Sequence, residues 1–165
     1  MARKNQRVRS GLSSKSRSKV SKSKGRIQSK GKEIDGIKFK SMLEVFTYKK
    51  LKEAYISLEY EQTTFRLMEG FYYPAMCIES RKGPEFEDKN GTKVRDITYT
   101  PDFIGRDESG KILWVIECKG FANDRFPNTW KNFKKHLIET GQVCPLFLPK
   151  NQKQVLQVIE IIKSL

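Results

Sequence analysis

Val94-Arg95-Asp96-Ile97-Thr98-Tyr99-Thr100-Pro101-Asp102-Phe103-Ile104 and Ile112-Leu113-Trp114-Val115-Ile116-Glu117-Cys118 read as two strands, separated by the turn-rich Asp107-Glu108-Ser109-Gly110. With Ser109-Gly110 as a two-residue hairpin loop, cross-strand partners carry numbers summing to 219. Asp102 then lies opposite Glu117, and Thr100 opposite Lys119. Strand side chains alternate, so Glu117 and Lys119 share a face and three charged groups converge where an apolar strand ends. That strand is apolar on both faces up to Glu117, the pattern of a central strand covered by helices on each side.

Upstream, Gly36-Ile37-Lys38-Phe39-Lys40 precedes Ser41-Met42-Leu43-Glu44, a capping box ahead of apolar Leu43, Phe46, Leu51, Ala54 and Tyr55, which predicts a helix over about 41–55. Ile56-Ser57-Leu58-Glu59-Tyr60-Glu61 alternates as a half-exposed strand, and aromatic residues (Phe65, Phe71, Tyr72, Tyr73) lead to a polar loop over Ser80–Gly91. Downstream, Phe126-Pro127-Asn128-Thr129-Trp130 opens a helix through Phe133 and Leu137, stopped by Gly141; Pro145-Leu146-Phe147-Leu148 is a short strand. Asn151 caps a last helix with Val155, Val158, Ile159 and Ile162 inward. The order α-β-β-β-α-β-α makes the chain an α/β protein.

The 165 residues carry a formal charge of +14, distributed unevenly. Residues 1–32 hold 12 of the 33 Lys and Arg and no acid, interleaved with Ser and Gly, so this segment cannot bury a core and reads as a disordered basic arm ahead of one domain at 33–165. Arg3, Lys4, Arg7, Arg9, Lys15, Arg17 and Lys19 make it an electrostatic arm suited to nucleic acid, where each neutralised phosphate releases a counterion. A solvated tail is the alternative; a membrane-surface role lacks an amphipathic apolar face. No 18-residue apolar run and no secretory leader pattern are present, so a cytoplasmic protein without a membrane is expected. Cys77, Cys118 and Cys144 are an odd set without a C-x-x-C pair, and His136 is the single histidine, which excludes disulfide scaffolds, zinc clusters and histidine-based triads. Chemistry must run on carboxylates and lysines.

Two neighbouring carboxylates repel, a cost that a bound divalent cation reverses. Hard oxygen ligands without histidine or thiolate favour magnesium, with manganese able to substitute, and magnesium takes one or two carboxylates plus substrate phosphate. The chemistry so indicated is phosphodiester hydrolysis, the metal polarising the phosphate and acidifying a water while Lys119 holds the nucleophile or offsets developing charge.

Pro101-Asp102 followed by Glu117-Cys118-Lys119 resembles the signature of the PD-(D/E)XK, restriction-endonuclease-like nucleases, placed on two adjacent strands within the α-β-β-β-α-β order of that superfamily. A second E-x-K, Glu87-Asp88-Lys89, lacks the hydrophobic strand before it. Across residues 36–140, Ser41-Met42-Leu43-Glu44, Tyr99-Thr100-Pro101-Asp102-Phe103 and Glu117-Cys118-Lys119-Gly120 resemble the three motif blocks of the bacteriophage endonuclease I family of Holliday-junction resolvases. The resemblance implies a magnesium-dependent DNA endonuclease acting on branched DNA as a homodimer. It implies that Asp102 and Glu117 bind metal with the backbone carbonyl of Cys118, that Glu44 completes the acidic set, and that Lys119 is the catalytic lysine. The stretch around 70–92 and the hydrophobic helix 151–164 depart from that family's pattern.

Other roles are open to these residues. Glu44, at the third helical position, suits a reach back to the Ser41 amide; Asp102 suits a turn after Pro101; Glu117 and Lys119 suit a surface ion pair. Lys131, Lys134 and Lys135, with Arg125, form either a phosphate-binding face or a solvated helix face. The rival functions are a nuclease of the same chemistry on linear, nicked or flap DNA, and a nucleic-acid-binding protein without catalysis.

Overall fold

The computed structural model describes residues 31–80, 85–119 and 125–165. It is a mixed α/β structure whose centre is a four-stranded mixed sheet flanked by helices. A hairpin of β1 (Lys32–Ile34) and β2 (Ile37–Phe39), turning through Asp35-Gly36, precedes α1 (Met42–Glu53). Lys32 pairs with Phe39 in this hairpin. The Ser41 hydroxyl accepts the Glu44 amide at 3.2 Å and starts α1 as the capping box predicts. The helix ends without glycine. Tyr55 adopts φ +57 and the Ile56 amide returns to the Leu51 carbonyl, so reversing the chain consumes Ile56–Leu58 and the strand expected over 56–61 shrinks to β3 (Glu59–Tyr60).

Between Phe65 and Tyr99 the described residues form an antiparallel ribbon of three successive two-stranded pairs. β4 (Phe65–Met68) and β5 (Phe71–Tyr72) are followed by β6 (Ile78–Ser80) and β7 (Phe86–Asp88). The return passes through β8 (Lys93–Val94) and β9 (Ile97–Tyr99), pairing β6 with β7, β5 with β8 and β4 with β9. Of the polar loop expected over 80–91, residues 81–84 lie outside the described residues, and Ser80 and Phe86–Asp88 are corrected to strand, since cross-strand pairing overrides their turn-like local composition. The strand expected over 94–104 is also divided. Buried Pro101, which has no N–H to donate, separates β9 on the ribbon from β10 (Phe103–Arg106) in the central sheet.

β10 pairs antiparallel with β3 and with β11 (Ile112–Ile116), and β11 pairs in parallel with β12 (Leu146–Phe147), giving the order β12-β11-β10-β3. The predicted register is observed: Phe103 faces Ile116, Ile104 faces Val115 and Gly105 faces Trp114. The turn differs. Asp107 and Lys111 close a three-residue loop, Glu108-Ser109-Gly110, and the register shifts between Gly105 and Arg106, leaving Leu113 as the extra residue. The longer loop and the bulge displace the register in opposite senses and cancel. The bulge also inverts side-chain parity, so Ile112 and Val115 face one layer while Trp114, Ile116 and Cys118 face the other. α2 (Phe126–Glu139) covers the first layer with Phe126, Phe133 and Leu137, and α1 with α3 (Gln152–Lys163) covers the second. Asn151 caps α3 through the Gln154 amide, and Val155, Val158, Ile159 and Ile162 are buried as read from the spacing. No helix among the described residues is long and apolar enough to cross a membrane.

Candidate active site

Glu44, Asp102, Glu117, Cys118 and Lys119 line one cleft of about 350 Å³ at the end of the central sheet. Each arrives by a different element. Glu117 and Lys119 continue β11, whose direction is held beyond its last paired residue by the Glu117 amide donating to Phe147 O (3.0 Å) and the Lys119 amide to Pro149 O (3.1 Å). Asp102 immediately precedes β10, and its Oδ2 accepts the Cys118 amide at 2.6 Å, so the carboxylate replaces the backbone acceptor that the neighbouring strand would otherwise present. Glu44 comes from the first turn of α1.

The three carboxylates Glu44, Asp102 and Glu117 are all buried, each with different partners. Glu44 Oε1 accepts from Ser41 Oγ (2.7 Å); Oε2 accepts from the Lys40 amide (2.8 Å) and Tyr60 OH (2.7 Å). The expected reach to the Ser41 amide is thus a reach one residue further back. Glu117 Oε1 meets Lys119 Nζ at 2.9 Å and Oε2 accepts Tyr99 OH at 2.7 Å. Asp102 is the crowded member: burial first, then the charge of Glu117, lift its carboxyl to about 8 against the opposing Cys118 hydrogen bond. Its Oδ1 accepts no hydrogen bond among the described residues, and since no buried side-chain oxygen there lacks a partner, Oδ1 is open to solvent. Burial likewise raises the Tyr60, Tyr99 and Cys118 groups, so both phenols are donors and the thiol stays protonated.

Lys119 is fixed from two sides. Its ammonium bonds Glu117 and lies 4.3 Å from the centroid of the Phe126 ring in the first turn of α2, a cation-π contact. Cys118 faces the opposite layer, with Sγ 3.3 Å from Thr47 Oγ1. The same cleft is lined by Lys40, Glu61, Thr100 and Thr129, which sequence reasoning missed, and by Arg125, which it placed on a phosphate-binding face. Tyr99 belongs to the Tyr99-Thr100-Pro101-Asp102-Phe103 block, three residues before Asp102, with no role that the sequence assigns. For Tyr60 and the Lys40 ammonium no local signal exists, because their partners, Glu44 and Glu61, lie 16 and 21 residues away in sequence.

Lys131, Lys134 and Lys135 are exposed on α2 and do not line the cleft; Lys135 pairs with Glu139 and Lys134 lies near the Trp130 ring. Arg3, Lys4, Arg7, Arg9, Lys15, Arg17 and Lys19 lie outside the described residues. The second E-x-K sits on β7, where Lys89 pairs with Glu87 at 2.9 Å, away from the cleft.

No group of three His, Cys, Asp or Glu side chains among the described residues is arranged to hold a metal ion by itself. The donor set suits a hard cation that needs fewer: the open Oδ1 of Asp102, a Glu117 carboxylate with one hydrogen bond on each oxygen, and the Cys118 carbonyl between Glu117 and Lys119 match the one or two carboxylates that magnesium uses beside water and phosphate. Lys119, Arg125 and Thr129 line the same space and supply donors for a phosphate.

No curated protein and no solved structure matches the chain. One family model does, over residues 23–145, a span that contains α1, the ribbon, β10, β11 and α2 and every cleft-lining residue. The chain belongs to the family described as "Protein of unknown function (DUF1064)".

Proposed function

We propose that the protein is a magnesium-dependent endodeoxyribonuclease with a PD-(D/E)XK, restriction-endonuclease-like core, hydrolysing phosphodiester bonds in DNA. The observation that carries the reading is the meeting of Asp102, Glu117 and Lys119 at the ends of two paired strands, with Glu44 from α1 on the same cleft. The order α1, β3, β10, β11, α2, β12 around the central sheet supports the same assignment.

Asp102 and Glu117 would hold the ion together with the Cys118 carbonyl. When bound, magnesium polarises the scissile phosphate and lowers the pKa of a water. The chain's own groups do the rest. Tyr99 fixes the rotamer of Glu117, and the Cys118 amide fixes that of Asp102. Lys119, held over Phe126, offers a positive charge beside the attacked phosphate, while Arg125 and Thr129 orient its oxygens. The basic segment before residue 31 supplies sequence-independent affinity. Branched DNA, a four-way junction above all, is the substrate we assign from the motif blocks, and cutting both strands of a junction calls for a homodimer.

The test is cleavage of a labelled four-way junction and a matched linear duplex, in magnesium or EDTA, by the native protein and Asp102→Asn. Metal-dependent, junction-selective cutting that the variant loses is the expected result. Equal cutting of duplex removes the junction assignment and keeps the chemistry. Binding without cutting overturns the nuclease reading in favour of a nucleic-acid-binding protein.

A further inference from the structure

We propose that the ammonium of Lys40 is a built-in cation of the cleft, standing where a second divalent ion would otherwise sit, so that the site takes one metal ion. The inference rests on the nuclease reading above. Its starting point is how differently the carboxylates are occupied. Of the roughly four lone-pair positions of an ionised carboxylate, Glu44 commits three, to Ser41 Oγ, the Lys40 amide and Tyr60 OH. These bonds hold the start of α1 and the end of β3, so freeing Glu44 for coordination would undo them. Asp102 and Glu117 commit one and two positions to described partners.

The Glu44 side of the cleft already holds a positive charge. Lys40 Nζ lies 2.5 Å from Glu61 Oε1, and Lys40 lines the cleft together with Glu61, Asp102 and Glu44. Glu61 is itself held in place. Its amide donates to the Asp102 carbonyl at 3.0 Å, and its backbone sits at φ +46, a left-handed conformation uncommon for a non-glycine residue. The backbone of Lys40 is pinned by its bond to Glu44. The backbones at both ends of the ion pair are therefore tied to the site.

Charge balance agrees. Glu44, Glu61, Asp102 and Glu117, when ionised, face Lys40, Lys119 and Arg125 across the cleft, leaving its lining with one negative charge in excess. One divalent ion and one phosphodiester bring the total to zero. A second divalent ion would leave an excess of two positive charges in a small cleft, an unfavourable load unless Lys40 withdraws.

The experiment counts Mn2+ ions bound by the full-length native protein, Lys40→Gln, Lys40→Arg and Asp102→Asn, using calorimetry and the electron paramagnetic resonance signal of free Mn2+. The Lys40 side chain is 71% exposed, so its replacement leaves the core intact, and a thermal melt verifies it. The native protein and Lys40→Arg are expected to bind one ion, Lys40→Gln two, with the second at least tenfold tighter than any weak second event in the native protein. Two ions on the native protein, or one on Lys40→Gln, overturn the role of Lys40 while the nuclease reading stands, provided Asp102→Asn loses the first ion. No Mn2+ bound by any of the four proteins overturns both.

Discussion

Asp102→Asn separates the electrostatic cost of the site from its packing, because Asn keeps the shape and an oxygen to accept the Cys118 amide while removing the charge. In the native protein burial and Glu117 lift the Asp102 carboxyl from 3.8 to about 8. A folded-state pKa above the unfolded one means that the stability this group contributes is complete below about pH 4 and is lost as pH rises through 8. Each pH unit inside that window costs about 1.4 kcal/mol, so the expectation between pH 5 and pH 8 is about 2–4 kcal/mol, the upper figure being the ceiling. The assay is urea denaturation of both proteins in EDTA at unit pH steps from 5 to 9. The variant should be close to the native protein at pH 5 and the more stable of the two at pH 8, and Mn2+ at pH 8 should stabilise the native protein alone. A native-minus-variant difference that does not change with pH would refute the reasoning, as would a variant less stable at pH 8.

Tyr99→Phe removes the donor to Glu117 Oε2 and should cost about 1.5–3 kcal/mol in a urea titration, with divalent-ion affinity by calorimetry falling because Glu117 is no longer held in one rotamer. Gly105→Ala places a methyl group inside the ring of Trp114 opposite it and should destabilise by about 3 kcal/mol or more, read as a fall in urea midpoint at unchanged slope. Phe126→Leu keeps an apolar helix start but loses the ring under Lys119, and cleavage should drop by about threefold to tenfold with DNA affinity retained, measured by single-turnover kinetics and filter binding. Deleting residues 1–30, which leaves β1 intact, should weaken DNA binding and flatten its salt dependence by about 0.9 in log–log slope for each phosphate no longer neutralised; an unchanged slope would remove the arm from the interface.

The sequence carries the positions of Asp102, Glu117 and Lys119 through the cross-strand count of the hairpin, which a two-residue turn and a three-residue turn followed by a one-residue bulge bring to the same register. The hairpin loop itself was not legible: Asp107 accepts hydrogen bonds from Ser109 and Lys111 and draws the loop to three residues, and only the bulge at Leu113 restores the count. Ser41 and Glu44 were legible as a local cap. The partners that define their chemistry were not, since Tyr60 is 16 residues from Glu44 and Tyr99 is 18 from Glu117, contacts that exist only after the sheet assembles. The ribbon was missed for the same reason, its strands being two to four residues long and held by pairing rather than by composition.

Three consecutive amides, those of Glu117, Cys118 and Lys119, point alternately to the chain at the end of β12 (Phe147 and Pro149 carbonyls) and to the Asp102 carboxylate, and all three are bonded. A rung of the sheet is thereby closed by a side chain of the candidate site. In hydrogen-deuterium exchange the Glu117 and Lys119 amides report on separation of β11 from β12, whereas the Cys118 amide reports on Asp102 alone. One backbone proton, invisible to any activity assay, thus becomes a direct gauge of whether that carboxylate is in place.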